Sequence, residues 1–225
     1  MNWVRVTGWI GLIAALLVGL GEYCLQYTPN GGIEDVKDYL YFNDISAARL
    51  SAGHFIAVLA APLYLVGYWH LGKNLEPAGK TLAGAFFCIG AYSFVIGTAW
   101  IGQRFFIAST VHEIAAGTAI QGQLALFSEH NEPFVNILRV AMLLVSVIWI
   151  KQVLTGRTNY PRWMALFSPI VLLATMFALY FFGTKIGLYV FPVAMNATHF
   201  VIFALSLLTT RKLSKSEPAA SRMAG

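Results

Sequence analysis

Six long apolar stretches constrain the fold of this chain more than any other feature of its sequence. They cover residues 7–27, 46–71, 81–103, 134–154, 163–184 and 187–210. A helix needs about 20 mostly apolar residues to cross the hydrocarbon core of a bilayer. The sequence therefore predicts an all-α, polytopic transmembrane helix bundle of six spans within residues 1–210, followed by a disordered cytoplasmic tail at 211–225.

The composition also indicates a membrane protein. Of the 225 residues, 58% are hydrophobic and only 11% are charged, whereas soluble domains have about 25% charged residues. This excludes a soluble globular domain, a disordered chain and an ordinary nucleic-acid-binding protein, despite the net charge of +5. We expect membrane lipids as partners and no nucleic acid.

The positions of the basic residues predict the orientation. With six spans, both termini lie on the same side of the membrane, and Lys and Arg are enriched in cytoplasmic loops. If the termini are cytoplasmic, ten of the fifteen basic residues fall on that side: Arg5, Lys73, Lys80, Lys151, Arg157, Arg162, Arg211, Lys212, Lys215 and Arg222. The sequence therefore predicts a multi-pass protein of the bacterial inner membrane with both termini in the cytoplasm.

Two connections on the predicted outer side are long, at residues 28–44 and 105–133. We expect them to fold over the outer mouth of the bundle, because long ordered loops are often functional. Within the second, residues 105–126 include His112, Glu113 and two glutamines. This composition predicts an interfacial or re-entrant helix rather than a seventh span.

Polar residues within the spans are concentrated in the predicted outer half of the membrane. Ionisable residues in membranes usually face the protein interior, so we expect these side chains to line a polar cavity that binds a lipid-like or other amphipathic small molecule. The candidate ligand-binding residues are Glu22, Arg49, His54, Arg104, Arg139, Asn196 and His199.

Small residues form helical faces on two of the spans. On the first span, a face that includes Gly8, Gly11 and Gly19 ends at Glu22, and a glycine face on the third span ends at Arg104. Small faces allow close helix approach. We therefore expect the first and third spans to pack together and to bring Glu22 close to Arg104, either as an ion pair or as charges that face a ligand.

The sequence leaves two possible cofactors open, a metal ion and a b-type haem. A metal site would use His54 and His199 with a third ligand from His112, Glu22 or Asp44, and the haem would be held by the same two histidines. No HExxH motif or paired HxxxH motif accompanies them. The alternatives to a lipid-binding protein are therefore a membrane-embedded metal-dependent hydrolase or lipid-modifying enzyme, and a structural or assembly subunit.

The remaining histidines and the cysteines carry simpler expectations. His70 is expected at the membrane interface and His130 in a loop. Cys24 and Cys88 fall at opposite predicted depths, so we do not expect a disulfide between them.

Two sequence stretches resemble a known family. The first span ends in GLGEY at Gly19–Tyr23, and PLYLVGYWHL at Pro62–Leu71 closes the second span. Both stretches resemble an uncharacterised bacterial family of small multi-pass membrane proteins, a domain of unknown function. This resemblance implies no activity and assigns no functional residue.

Overall fold

The computed structural model describes residues 3–29 and 39–216, and every regular element among them is helical. The prediction of an all-α fold is confirmed. The α-helices are α1 (Trp3–Gln26), α2 (Ala47–Ala60), α3 (Leu63–Leu75), α4 (Lys80–Ala115), α5 (Gln121–Leu154), α6 (Pro169–Phe181), α7 (Lys185–Val190) and α8 (Ala194–Ser216). Short 3-10 helices lie at Leu40–Asp44, Glu76–Ala78, Arg162–Phe167 and Phe191–Val193.

The helices alternate in direction. We call the end of the bundle where α1 begins the N-terminal end, and the end where α1 finishes the opposite end. The pair α2–α3 returns to the N-terminal end, α4 leads away from it, and α5 returns. Next, α6 runs to the opposite end, and α8 returns after the short α7.

Several of these helices are long enough to cross a membrane. Four of the described helices are long and apolar enough to cross a bilayer, and the count becomes five if the bent pair α2–α3 is one span. The helix α6 is apolar but has only 13 residues. Helix α8 continues to Ser216, so it includes the start of the predicted tail, whereas residues 217–225 lie outside the described residues.

The predicted second span is broken in the middle. Helix α2 ends at Ala60, α3 starts at Leu63, and their axes differ by 41°. Pro62 lies at the break. A proline interrupts a helix because it has no N–H to donate and its ring clashes with the preceding turn. The bend turns α3 along α1 and α8 toward the N-terminal end.

The small-residue face of α1 packs against α2 and α3. A Cβ added to Gly11 would lie 2.7 Å from the Cα of Gly67, and one added to Gly21 would lie 2.7 Å from the carbonyl oxygen of Gly53. The glycines therefore allow backbone-to-backbone contact here. The prediction that this face packs against the third span is wrong. The third span is α4, and the space beside its Gly90 is filled by the side chain of Tyr68 from α3.

Residues 105–126 do not form a separate interfacial or re-entrant helix. Residues 105–115 continue α4, a tight turn with positive φ at Gly117 follows, and α5 begins at Gln121. At 36 and 34 residues, α4 and α5 are about 54 and 51 Å long. Both are longer than a hydrocarbon core of about 30 Å, so this pair forms an extended hairpin at the opposite end.

Aromatic rings fill the middle of the bundle. Tyr64 and Tyr68 of α3 are fully buried, and Tyr64 stacks on Phe94 of α4 with ring centroids 3.8 Å apart. Phe86 and Trp149 continue this packing toward the N-terminal end. Phe94 lines the cavity described next and forms its aromatic floor, and the other rings pack behind Phe94.

Candidate functional site

A cavity of about 380 Å³ lies in the half of the bundle toward the opposite end. Its walls come from α1, α4, α5, α6 and the start of α8, and most of its lining side chains are apolar. Its charged lining residues are Glu22, Arg104 and Arg139, with Asn196 beside them. Four of the seven candidate residues from the sequence therefore line one cavity. Small-molecule sites in proteins have volumes of about 300–1,000 Å³.

Glu22 is held in the cavity wall by amide groups. Its carboxylate accepts hydrogen bonds from Asn196 and, at 3.0 Å, from Gln26 one turn further along α1. The Asn196 oxygen accepts a hydrogen bond from the Tyr64 hydroxyl at 2.6 Å. This chain fixes the position of the carboxylate and leaves part of its acceptor capacity unused, because a carboxylate has about four acceptor sites.

Arg104 lies on the same cavity, packed among aromatic rings. Its guanidinium carbon is 4.8 Å from the centroid of the Trp100 ring and 5.2 Å from that of Tyr39. Its Nη1 atom is 3.8 Å from a carboxylate oxygen of Glu132, which is too long for a hydrogen bond. Among the described residues, its buried Nε and Nη1 atoms have no hydrogen-bond partner.

Glu22 and Arg104 share the cavity without a direct contact. Arg104 acts on Glu22 through its charge, but within residues 3–29 and 39–216 its only ion pair is the one with Glu132. Of the two possibilities that the sequence left open, charges that face a common space describe the arrangement better than a closed ion pair.

The cavity is open at one side. Arg139 on α5 and Leu188 on α7 both line it and are both exposed, so they mark its mouth. The Arg139 side chain donates a 3.0 Å hydrogen bond to Asn136, one turn earlier.

Nearer the N-terminal end, the Ser146 hydroxyl accepts a hydrogen bond from the backbone of Ile170 at 2.9 Å and joins α5 to α6.

The segment Tyr39–Asp44 lies beside the cavity at the opposite end, and its Tyr41 is one of the lining residues. Tyr39 has a left-handed backbone with φ of 54°, a conformation uncommon outside glycine and asparagine. Its hydroxyl donates to Glu132, and burial together with this bond raises the pKa of Tyr39 above its usual range. The backbone carbonyl of Phe42 accepts a 2.8 Å hydrogen bond from His112. Of the predicted outer loop 28–44, residues 30–38 lie outside the described residues.

Arg49 has another role in this structure. Its guanidinium donates hydrogen bonds to the backbone carbonyls of Tyr23, at 3.0 Å, and Tyr27. These carbonyls lie at the C-terminal end of α1, where that of Tyr23 also accepts the backbone N–H of Tyr27 at 3.0 Å. A carbonyl beyond the last turn has no intrahelical donor. Arg49 therefore caps α1 and does not line the cavity.

His54 and His199 are not brought together. His199 is fully buried, and its Nδ1 donates to the carbonyl of Met195 at 2.7 Å. This leaves Nε2 of the neutral ring to accept a 2.8 Å hydrogen bond from Tyr68. His54 instead packs against the rings of Phe105 and Phe106. In the described part of the chain, no three His, Cys, Asp or Glu side chains are placed to hold a metal ion.

A second polar cluster lies at the N-terminal end, and the sequence analysis did not identify it. His70 is buried, and its Nε2 lies 2.7 Å from the hydroxyl of Ser206. The same hydroxyl is 2.8 Å from that of Tyr160, and His70 Nδ1 donates to Val4. The one-turn spacing of His70 and Asn74 was an available signal for this cluster. Nothing in the sequence connects either residue with Tyr160 or Ser206. His130 also differs from expectation, since it lies within α5.

Comparison with known proteins assigns a family but no activity. No curated protein and no solved structure matches the chain. The model of a family of unknown function, DUF6796, matches residues 1–212. The resemblance to a family of unknown function is thereby confirmed, and the chain belongs to the family of unknown function DUF6796.

Proposed function

We propose that this protein crosses a bacterial inner membrane six times, with both termini in the cytoplasm. Support comes from the alternating direction of the helices and from the basic residues near the N-terminal end. Only Ser168 separates the 3-10 helix Arg162–Phe167 from α6, and together they extend the short apolar helix to the length that a span needs. In this orientation the cavity mouth faces the outer leaflet.

We further propose that the cavity binds a lipid-like or other amphipathic small molecule. The observation that carries this proposal is one cavity of about 380 Å³ with mostly apolar walls and buried charged groups, Glu22 and Arg104, on its surface. Apolar walls suit a hydrocarbon tail, and a few placed polar groups orient a head group. The exposed mouth between α5 and α7 provides entry from the side.

Filling the cavity tests this proposal. Gly97 lines the cavity, and the nearest atom to an added Cβ is 3.8 Å away in Leu138. A Gly97→Phe variant therefore places a ring in the cavity. Gly84 lies on the same helix with no atom within 4 Å of an added Cβ, so Gly84→Phe is the matched control.

The measurement is native mass spectrometry of protein purified in a mild detergent, with identification of retained small molecules. We expect the unmodified protein and Gly84→Phe to retain an amphipathic molecule and Gly97→Phe to lose it. Retention by Gly97→Phe at the level of the control, or no retained molecule in any of the three proteins, would contradict the proposal and favour a structural or assembly subunit.

A further inference from the structure

Of the eight described residues with an unpaired buried polar side-chain atom, three line the cavity. Thr28 Oγ1, Trp100 Nε1 and Arg104 Nε are all buried and, among the residues that the structure describes, have no hydrogen-bond partner. All three residues line the cavity. Most buried polar groups in proteins are paired, and each exception requires an explanation. These three residues surround one space, so a molecule bound there that reaches these atoms would complete hydrogen bonds that the protein leaves open.

The chemistry of these atoms specifies what they can bind. The indole N–H of Trp100 and the guanidinium of Arg104 are donors only, and the hydroxyl of Thr28 can also donate. The complementary group must therefore accept several hydrogen bonds at once. Arginine binds carboxylate and phosphate groups through such donors in preference to other ligands.

The charges around the cavity favour the same conclusion. Two arginines and one glutamate line it, so its described lining carries a net positive charge. The carboxylate of Glu22 is already bonded by two neutral amides, from Asn196 and Gln26. Glu132, the ion-pair partner of Arg104, is 49% exposed, and its carboxylate also receives the hydroxyl of Tyr39. The charge of Arg104 is therefore only partly balanced by the protein.

We infer that the amphipathic ligand carries an anionic head group, a carboxylate or a phosphate, bound by Arg104 together with Trp100 and Thr28. The tail lies along the apolar walls formed by α5 and α6, toward the mouth at Leu188. This inference rests on the proposed function, because it specifies the head group of the molecule that the cavity binds.

A series of ligands with one tail and different heads tests the inference. Dodecanoate and dodecyl phosphate carry anions, dodecanol is neutral, and dodecyltrimethylammonium is cationic. Their dissociation constants are measured by competition against a fluorescent monoacylglycerol in a non-ionic detergent. We expect both anions to bind about tenfold more tightly than dodecanol, as one charge-assisted hydrogen bond provides about that factor.

Variants identify the groups that hold the head. Arg104→Gln should bind the anions about tenfold more weakly and dodecanol as before, whereas Arg157→Gln, in an exposed turn, should change neither. Because loss of Arg104 also removes its contact with Glu132, Trp100→Phe provides a second test. It keeps an aromatic ring beneath the guanidinium, replaces the larger indole and removes its N–H donor, and should weaken the binding of the anions but not of dodecanol.

The possible outcomes separate this inference from the proposed function. Equal affinity for all heads, or tightest binding of the cationic head, overturns the anionic head group and leaves amphipath binding intact. Binding of none of the ligands overturns the proposed function itself. If inorganic phosphate alone competes as strongly as dodecyl phosphate, the anion site is supported and the need for a tail is overturned.

Discussion

The side-chain amide of Asn196 donates a hydrogen bond to the carboxylate of Glu22, across 174 positions of sequence. The oxygen of the same amide accepts the hydroxyl of Tyr64. One asparagine therefore joins α1, α3 and α8 and holds the only acid among the described lining residues of the cavity. Its two bonds connect the packing of the bundle with the geometry of the candidate site.

Replacing Asn196 should weaken this junction. The variant Asn196→Ala leaves Tyr64 and Glu22 each without one buried hydrogen bond, and we expect the free energy of unfolding to fall by about 2 kcal/mol. Denaturation in detergent micelles measures the change. Asn43→Ala, at an exposed position, is the control, and equal stability of the two variants would show that the junction contributes nothing.

Removing one hydroxyl should reveal the role of His199. In Tyr68→Phe the ring is retained, but Nε2 of His199 loses its 2.8 Å partner. We expect a loss of about 1–3 kcal/mol of unfolding free energy, the cost of an unsatisfied buried group. Tyr92 is 53% exposed on α4, and Tyr92→Phe should leave the stability unchanged. A Tyr68→Phe protein as stable as the unmodified one would mean that the histidine has another partner.

Two glycines of α4 should respond in opposite ways to alanine. A Cβ at Gly90 would lie 1.9 Å from Cδ1 of Tyr68, so Gly90→Ala must displace this ring and should lower the melting temperature sharply. At Gly84 nothing lies within 4 Å, and alanine is favoured over glycine in helices by about 1 kcal/mol. Gly84→Ala should therefore be neutral or stabilising. Similar melting temperatures for both variants would contradict the close contact between α3 and α4.

The proposed orientation can be tested with single cysteines. In a variant without Cys24 and Cys88, a cysteine at Ala116 lies in the turn after α4, and one at Thr155 lies in the turn after α5. We expect a membrane-impermeant maleimide added to intact cells to label Ala116→Cys only. Labelling of Thr155→Cys should require permeabilised cells. Reversed labelling would place the cavity mouth toward the cytoplasmic leaflet.

The sequence predicted the depth of the polar residues better than their direction. Glu22, Arg104 and Asn196 do line one cavity, since each lies toward the opposite end of the bundle. Depth follows from position along an apolar stretch, at about 1.5 Å per residue. Rotation about the helix axis depends on the neighbouring helices, and for this reason His199 turned into the aromatic core whereas His54 turned toward Phe105.

Two other misassignments arose from contacts between distant segments. The polar residues near His112 made residues 105–126 too polar for a span, yet α4 continues to Ala115, and there His112 bonds to the backbone of Phe42. The small face of α1 was assigned to the third span because glycines occur there as well. The bend at Pro62, whose direction the sequence does not specify, instead turned α3 along α1.

The aromatic floor of the cavity has a consequence for exchange. Behind Phe94, the rings of Tyr64, Tyr68, Phe86 and Trp149 are buried in close contact, so the cavity is closed on this side. A molecule held there would leave by the route through which it entered. Its occupancy would therefore follow the abundance of that molecule in a single leaflet, and the protein could report on one face of the membrane without being influenced by the other.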